Sequence, residues 1–300
     1  MKILDIGSLN IDKVYSVEHF VSAGETLTAG RLETFSGGKG LNQAIALARA
    51  GAEVYCAGAI GEDGLFLKEL LENSGVHTDC LQVLEDVPTG HAVIQLIPKG
   101  QNCIIISAGA NGALTEDYID SVLERFAAGD VLLVQNETSG VAYAMKKAKE
   151  RGMKIAINAS PIDDKLFTYP MELVDYFLIN EIEGKAIAGS DAADNGRILE
   201  DLAEKFPEAA VVLTVGKEGV LYACGGERLR HGIYNVSVVD TTAAGDTFCG
   251  YFLASTAKGL SAQEALHMAS IASSLAVGVK GAANSIPVWE DVERFGQSAK

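Results

Sequence analysis

The chain has 300 residues, 48% of them hydrophobic and 21% charged, which is enough to bury a sizeable core and excludes a disordered protein. A formal net charge of -16 disfavours nucleic acid and anionic membrane as partners, so any phosphate-bearing ligand has to be captured by local geometry against the overall field. No apolar run is long enough to span a membrane, and the five widely spaced cysteines without a CxxC pair fit reduced thiols, so a soluble cytoplasmic protein is expected.

The N-terminus "MKILDIGSLNID" enters a strand at Ile3–Ile6 without a signal-peptide pattern. From Asp12 to Phe35, β-type residues surround a turn at "SAGE", and "FSGGKGLNQAIALARAG" then reads as a glycine-rich turn entering an alanine-rich helix. A strand at Val54–Ala57 precedes the helix of "EDGLFLKELLENSG", with Leu70 and Leu71 inward and Gly75 as its stop. "AVIQLI" and "NCIIIS" flank "PKGQ" as a hairpin within 92–107. "TEDYIDSVLERF" predicts a helix with Thr115 as N-cap and Ile119, Val122 and Phe126 on one face. Further strands are expected at Val131–Val134, Lys154–Ile157, Tyr176–Ile179 and Val211–Val215, and a last short one at Val238–Val239. "SAQEALHMASIASSLAVG" opens with the capping-box pair Ser261 and Glu264. The alternation predicts an α/β fold, a mostly parallel central sheet with helices on both faces. The two β-rich pieces break that rhythm and form a small β-sheet lid, about 12–35 and 90–108, on a single domain spanning 1–300.

Polar clusters follow the strands: "GSLNID", "VQNETSG", "INASP", "INEIEG", "TVGKEG" and "DTTAAGD". Ligands of open α/β sheets bind beyond the C-terminal strand ends, so the clusters point to one composite site. In "TTAAGD" small residues allow close backbone approach, and the apolar run behind them predicts a helix starting near Ala244, whose free N–H groups make an anion site. Asp246 there is either an ordinary first-turn acid or a general base aimed at a hydroxyl that attacks a phosphate. Lys39 and Asn42 in the glycine-rich turn favour ligand contact over tight packing, although no Walker loop is present. Asn10 and Asp12 offer an amide and a carboxylate able to accept sugar hydroxyls, or else form a turn after the strand.

"GSLNID", "GGKGLNQA", "GEDG", "AGAN", "NASP", "NEIE", "DTTAAGDTF" and "VKGAANSIP" stand in the order and spacing of the ribokinase-like (PfkB) carbohydrate kinases, and the resemblance covers essentially the whole chain. The wording of "GGKGLNQA", "PTGHAVI" and "AGAN" resembles the members that act on ribose. Two departures stand out. Ala243 sits where many members carry glycine, and "FVSAGET" lacks a proline before its glycine.

The resemblance implies ATP-dependent phosphorylation of the primary hydroxyl of a small sugar, D-ribose first. Deoxyribose, a ketohexose or a nucleoside are alternatives, and a non-catalytic sugar sensor is a further one. It implies Asp246 as catalytic base and an anion cradle of N–H groups at Ala243, Ala244 and Gly245. The sugar is expected against Asn10, Asp12, Gly38, Lys39, Asn42 and Glu137, covered by Ala92 and Ile104 of the lid. ATP is expected along Asn180, Thr214, Gly216, Lys217, Gly219, Gly245 and Ser270, with Mg²⁺ held through water by Glu183. K⁺ is expected at Asp240, Thr242, Ala276, Val279, Gly281 and Ser285. Pairing through the apolar lid strands implies a homodimer.

Overall fold

The computed structural model describes residues 1–98 and 100–298. In chain order the elements are β1 Ile3–Ile6, β2 Asn10–Ser16, β3 Arg31–Gly37, α1 Lys39–Arg49, β4 Val54–Gly61, α2 Leu65–Asn73, β5 His77–Leu84, β6 Gly90–Leu96, β7 Asn102–Ser107, α3 Glu116–Leu123 and β8 Val131–Gln135. There follow α4 Val141–Glu150, β9 Lys154–Asn158, β10 Tyr176–Asn180, α5 Glu181–Ala188, α6 Asn195–Lys205, β11 Ala210–Thr214, β12 Val220–Cys224, β13 Glu227–His231, α7 Ala244–Ala257, α8 Ala262–Ala276 and α9 Trp289–Ser298.

The main sheet runs β13-β12-β11-β10-β9-β8-β1-β4-β5 among the described residues. It is parallel from β11 to β5, and β12 and β13 add an antiparallel edge. Its central strands are mostly apolar, as Val131–Val134 of β8 show, because helices cover both faces. One face packs on α1, α2, α7, α8 and α9, and the other on α3, α4, α5 and α6. The N-caps behave as their chemistry demands. The Thr115 side chain accepts from the Tyr118 N–H, and Ser261 with Glu264 forms the expected capping box.

A second sheet, β3-β2-β6-β7, is the lid. β6 and β7 form the predicted hairpin, whose turn residue Lys99 lies outside the described residues. β2 pairs with β3 antiparallel and with β6 in parallel, so the lid is one sheet built from two distant pieces. The turn at "SAGE" is present, with Glu25 N–H donating to Ser22 O at 3.1 Å, but β3 starts only at Arg31. Outer strand β7 exposes Ile104, Ile105 and Ile106 together with the Cys103 thiol, whereas Cys56, Cys80 and Cys249 are buried and Cys224 half-buried.

Several expectations are corrected. β11 ends one residue earlier than predicted, at Thr214. Val238–Val239 is not a strand. It is an exposed segment whose Val239 and Asp240 N–H groups donate to Val277 O at the end of α8. On α2 the fully buried residues are Leu67 and Leu71, and Leu70 is half-buried at the side of the core. The edge strands β5 and β13, and β12 next to β13, are additional to the expected strands.

Candidate active site

The turn before α7 is the pivot of the site. Ala243 caps the helix in the left-handed region (φ 59°), where an L-residue with a Cβ is uncommon and glycine is at ease. The departure from glycine noted at Ala243 therefore falls on the one non-glycine positive φ among the described residues. The helical ladder begins with Thr247 N–H donating to Ala243 O at 2.8 Å, so the N–H groups of Gly245 and Asp246 precede it. The Ala244 N–H, expected in the cradle, instead donates to Thr241 O at 3.3 Å within the turn. A Cβ built on Gly245 would meet nothing within 4 Å, so open space faces the helix start.

Asp246 is 8% exposed and is held by two side chains of α1. Asn42 Nδ2 donates to its Oδ2 at 3.1 Å and Gln43 Nε2 to its Oδ1 at 2.8 Å. Asn42 thus contacts Asp246 directly, while its own Oδ1 is buried without a partner, an acceptor left for a ligand hydroxyl. α1 and α7 approach closely because Gly250 faces Ala46, where a Cβ would lie 2.4 Å from the Ala46 Cβ. Burial opposes the charge on Lys39, but the carboxylates of Asp246, Glu137 and Glu183 around it outweigh that and raise its pKa. An ammonium so placed suits an anionic ligand.

The expected sugar residues gather where the lid meets the core. Asn111 of the "AGAN" turn donates from Nδ2 to Asn10 Oδ1 at 2.8 Å, which commits that oxygen and leaves the Asn10 amide nitrogen as a donor. Glu137 Oε2 accepts from Ser8 Oγ and, at 3.4 Å, from the Lys39 N–H. Burial first, and Glu137 second, push the Asp12 carboxyl up to about 6. The pairings Asp12–Ala92, Ala92–Ile106 and Ile94–Ile104 put Asp12, Ala92 and Ile104 on one face of the lid, since side chains alternate along a strand. Ile104 is 48% exposed, so in this conformation it is not buried over the cleft. Gly38 (φ 97°) has a packing reason of its own, as a Cβ there would lie 2.5 Å from Ser8 O.

On the other side of Asp246 a cavity of about 250 Å³ is lined by Lys39, Asn180, Glu183, Thr214, Gly245 and Asp246, among others. Asn180 caps α5. Its Oδ1 accepts from the Ile182 and Glu183 N–H groups, and Glu183 Oε2 accepts from the Asn180 N–H at 3.0 Å. Glu183 therefore closes a capping box while lining the cavity, and burial raises its pKa against the lowering effect of the Asn180 N–H and of Lys39. Gly216, Lys217 and Gly219 form the turn after β11, outside the cavity wall, with Lys217 exposed. Gly219 abuts His231 O, 2.1 Å from where its Cβ would lie. Ser270 is buried in α8 and does not line the cavity. The serine that reaches the cradle is Ser273, which donates to Ala244 O at 3.0 Å and gave no signal in the sequence.

The expected cation residues lie on segments that are tied together. Asp240 Oδ1 accepts from Thr242 N–H and Oγ–H, and Asp240 Oδ2 accepts from the Gly281 N–H at 3.0 Å. Val279 N–H donates to Ala276 O at 3.1 Å, and Ser285 is buried in the same segment. Arg49 secures it from below, donating to Ala283 O at 2.9 Å and Ile286 O at 2.5 Å.

The arrangement defines a class: an α/β protein that can hold an anion at a helix start beside a carboxylate able to accept a hydroxyl proton, the requirement of phosphoryl transfer to an alcohol. The pfkB family carbohydrate kinase model matches residues 2–289, and the chain belongs to that family. It is 35% identical to a ribokinase of Haemophilus influenzae over 97% of this chain and 96% of the relative. A deoxyribokinase of Salmonella typhi is 28% identical over 98% of both chains. Among solved structures, Arabidopsis thaliana ribokinase complexed with ribose and ATP superposes with a TM-score of 0.87 at 32% identity, covering 98% of each chain.

Proposed function

We propose that this protein is an ATP-dependent ribokinase that transfers the γ-phosphoryl group to the primary hydroxyl of D-ribose, giving ribose 5-phosphate. The observation that carries the reading is the position of Asp246: buried, held by two amides of α1, and in the first turn of a helix whose start faces open space. Asp246 accepts the proton of the attacking hydroxyl. The Gly245 N–H, with the Ala243 backbone beside it, offers hydrogen bonds to the transferred phosphoryl group, where charge develops. Lys39 balances that charge. Asn10, Asp12, Asn42 and Glu137 hold the sugar, and the lid face bearing Ala92 and Ile104 closes over it to exclude water. The nucleotide lies along the cavity of Asn180 and Thr214 and the turn of Gly216, Lys217 and Gly219.

The donor sets fit the ions that such chemistry uses. Both Glu183 oxygens already accept hydrogen bonds from Asn180, so Glu183 suits Mg²⁺ held through water, which would neutralise phosphate charge. The tie between Asp240 and Gly281 brings the carbonyl-rich segments of Thr242 and of Ala276 to Ser285 together, as a K⁺ cage needs. The five free thiols support a reducing, cytoplasmic setting, and the exposed isoleucines of β7 support a homodimer formed through the lid.

A coupled ADP-release assay over ribose, deoxyribose, fructose and a nucleoside, run in K⁺ and in Na⁺ at equal ionic strength, tests this reading. The highest kcat/KM is expected for ribose, with kcat greater in K⁺. Preference for deoxyribose would move the assignment toward the activity named for the Salmonella relative.

A further inference from the structure

A buried polar chain runs from Asp246 through the core to the middle of the main sheet. Gln43 Nε2 donates to Asp246 Oδ1 at 2.8 Å, and Gln43 Oε1 accepts from Gln135 Nε2 at 2.9 Å. Gln135 Nε2 also donates to Asp5 Oδ1 at 2.9 Å. Gln43 and Asp5 are fully buried and Gln135 nearly so. Asp5 sits on β1 between Leu133 of β8 and Cys56 of β4, a place where a strand covered on both faces ordinarily carries an apolar side chain. A buried carboxyl is costly there, and Asp5 Oδ2 and Gln135 Oε1 have no partner, so the chain is not explained as a source of stability. Gly7 leaves room for it, since a Cβ there would lie 2.4 Å from Gln135 Oε1.

The polarity of the chain is fixed link by link. Asp5 Oδ1 is an acceptor, which turns the Gln135 amide nitrogen toward it and toward Gln43 Oε1. With its oxygen so engaged, Gln43 has only its nitrogen to present to Asp246. We propose that Asp5 is a positioning residue for the reaction, acting through Gln135 and Gln43 to hold the Asp246 carboxylate in the correct orientation. The proposal rests on Asp246 being the base. Burial, with the Asp246 charge as a lesser cause, raises the pKa of Asp5 well above the ordinary carboxyl value, which favours its uncharged form beside Asp246. The other titratable groups facing these two carboxyls are Cys56 on β4, Cys249 on α7 and Lys39 on α1. Burial holds both thiols protonated, and Lys39 is the cation of the set.

The test compares wild type with Asp5→Asn, Asp5→Leu, Gln135→Met, Gln43→Met, the Gln43→Met/Gln135→Met double variant and Asp246→Asn. Each is assayed for kcat and KM with ribose and ATP across pH, and for Tm. Asp5→Leu and Gln135→Met should lower kcat about tenfold, as misorientation of a reacting group does, and leave the ribose KM within about twofold. A hydrogen bond to a charged group favours the charged form, so losing the donor should move the acid limb of kcat to higher pH. Asp5→Asn, which matches the neutral carboxyl in shape and hydrogen bonding, should restore wild-type kcat and the wild-type limb. The double variant should be no worse than Gln43→Met alone, because both cut one chain. A purely structural role would change Tm and leave the acid limb in place. Should Asp5→Leu not fold, Gln135→Met carries the test. An unmoved limb in Gln135→Met, additive losses in the double variant, or a limb moving to lower pH would overturn the proposal while Asp246→Asn remains inactive. Near wild-type turnover of Asp246→Asn would instead overturn the base assignment, and this proposal with it.

Discussion

Asp246 is the residue on which the proposed reaction turns, because its surroundings leave a carboxylate few other tasks. Its two oxygens are oriented by Asn42 and Gln43, and it does not cap its own helix, which starts at a left-handed Ala243. Asp246→Asn keeps the shape and loses the proton acceptor, so kcat should fall roughly 10²–10⁴-fold with the ribose KM nearly kept, as steady-state kinetics will show. Asp12 makes a separate prediction. Its carboxyl is pushed up to about 6, and the charged form, the better acceptor of two hydroxyls, exists above that value. The kcat/KM for ribose should therefore decline as pH falls through about 6, and Asp12→Asn should remove that limb while lowering the plateau. A limb that persists unchanged in Asp12→Asn would assign it elsewhere. Asp246 was legible from the sequence because a carboxylate stood one residue after a glycine at the head of an apolar helix. Gln43 and Gln135 were not, since an amide inside a core helix and one at the end of an apolar strand become partners only when the sheet closes over 92 positions of chain.

At the scale of elements, the two kinds of helix contact predict opposite phenotypes. Thr115 caps α3, away from the cleft, so Thr115→Ala should cost about 1 kcal/mol of stability in denaturant titration and leave kcat unchanged. Gly250 lets α7 lie against α1. In Gly250→Val the new atoms would fall on Ala46 and Leu47, and overpacking of this kind costs about 1–3 kcal/mol. Because α7 carries Asp246, that variant should lose stability and kcat together. Elements with strong local signals were legible in the sequence: the capped helices α3 and α8, the β6–β7 hairpin and the mostly apolar central strands. Edge strands were harder. β5 reads "HTDCLQVL" and β13 reads "ERLRH", both half-exposed and polar, so neither shows the apolar run or clean alternation that marks a strand. Val238–Val239 misled in the other direction: its β-branched residues lie exposed beside the end of α8 and pair with nothing in a sheet.

For the whole molecule, the governing feature is that the chain crosses between main sheet and lid at glycines. Gly7 leaves β1, Gly37 and Gly38 lead from β3 into α1, Gly90 opens β6, and Gly109 follows β7. The expected sugar ligands are consequently divided, with Asp12, Ala92 and Ile104 on the lid and Lys39, Asn42 and Asp246 on the core. The outward isoleucines of β7 should bring two lids together, and light scattering at micromolar concentration is expected to give twice the mass of one chain; a single-chain mass would remove the lid from the assembly. The same outer strand also supplies a reporter that needs no engineering. Cys103 is the one exposed thiol of the single chain among the described residues, and pairing through β7 would cover it, so a maleimide dye should attach slowly in the assembled protein and faster on dilution. The labelling rate would then report how much of the protein is unpaired at each concentration. The protein would in that way carry its own chemical gauge of assembly.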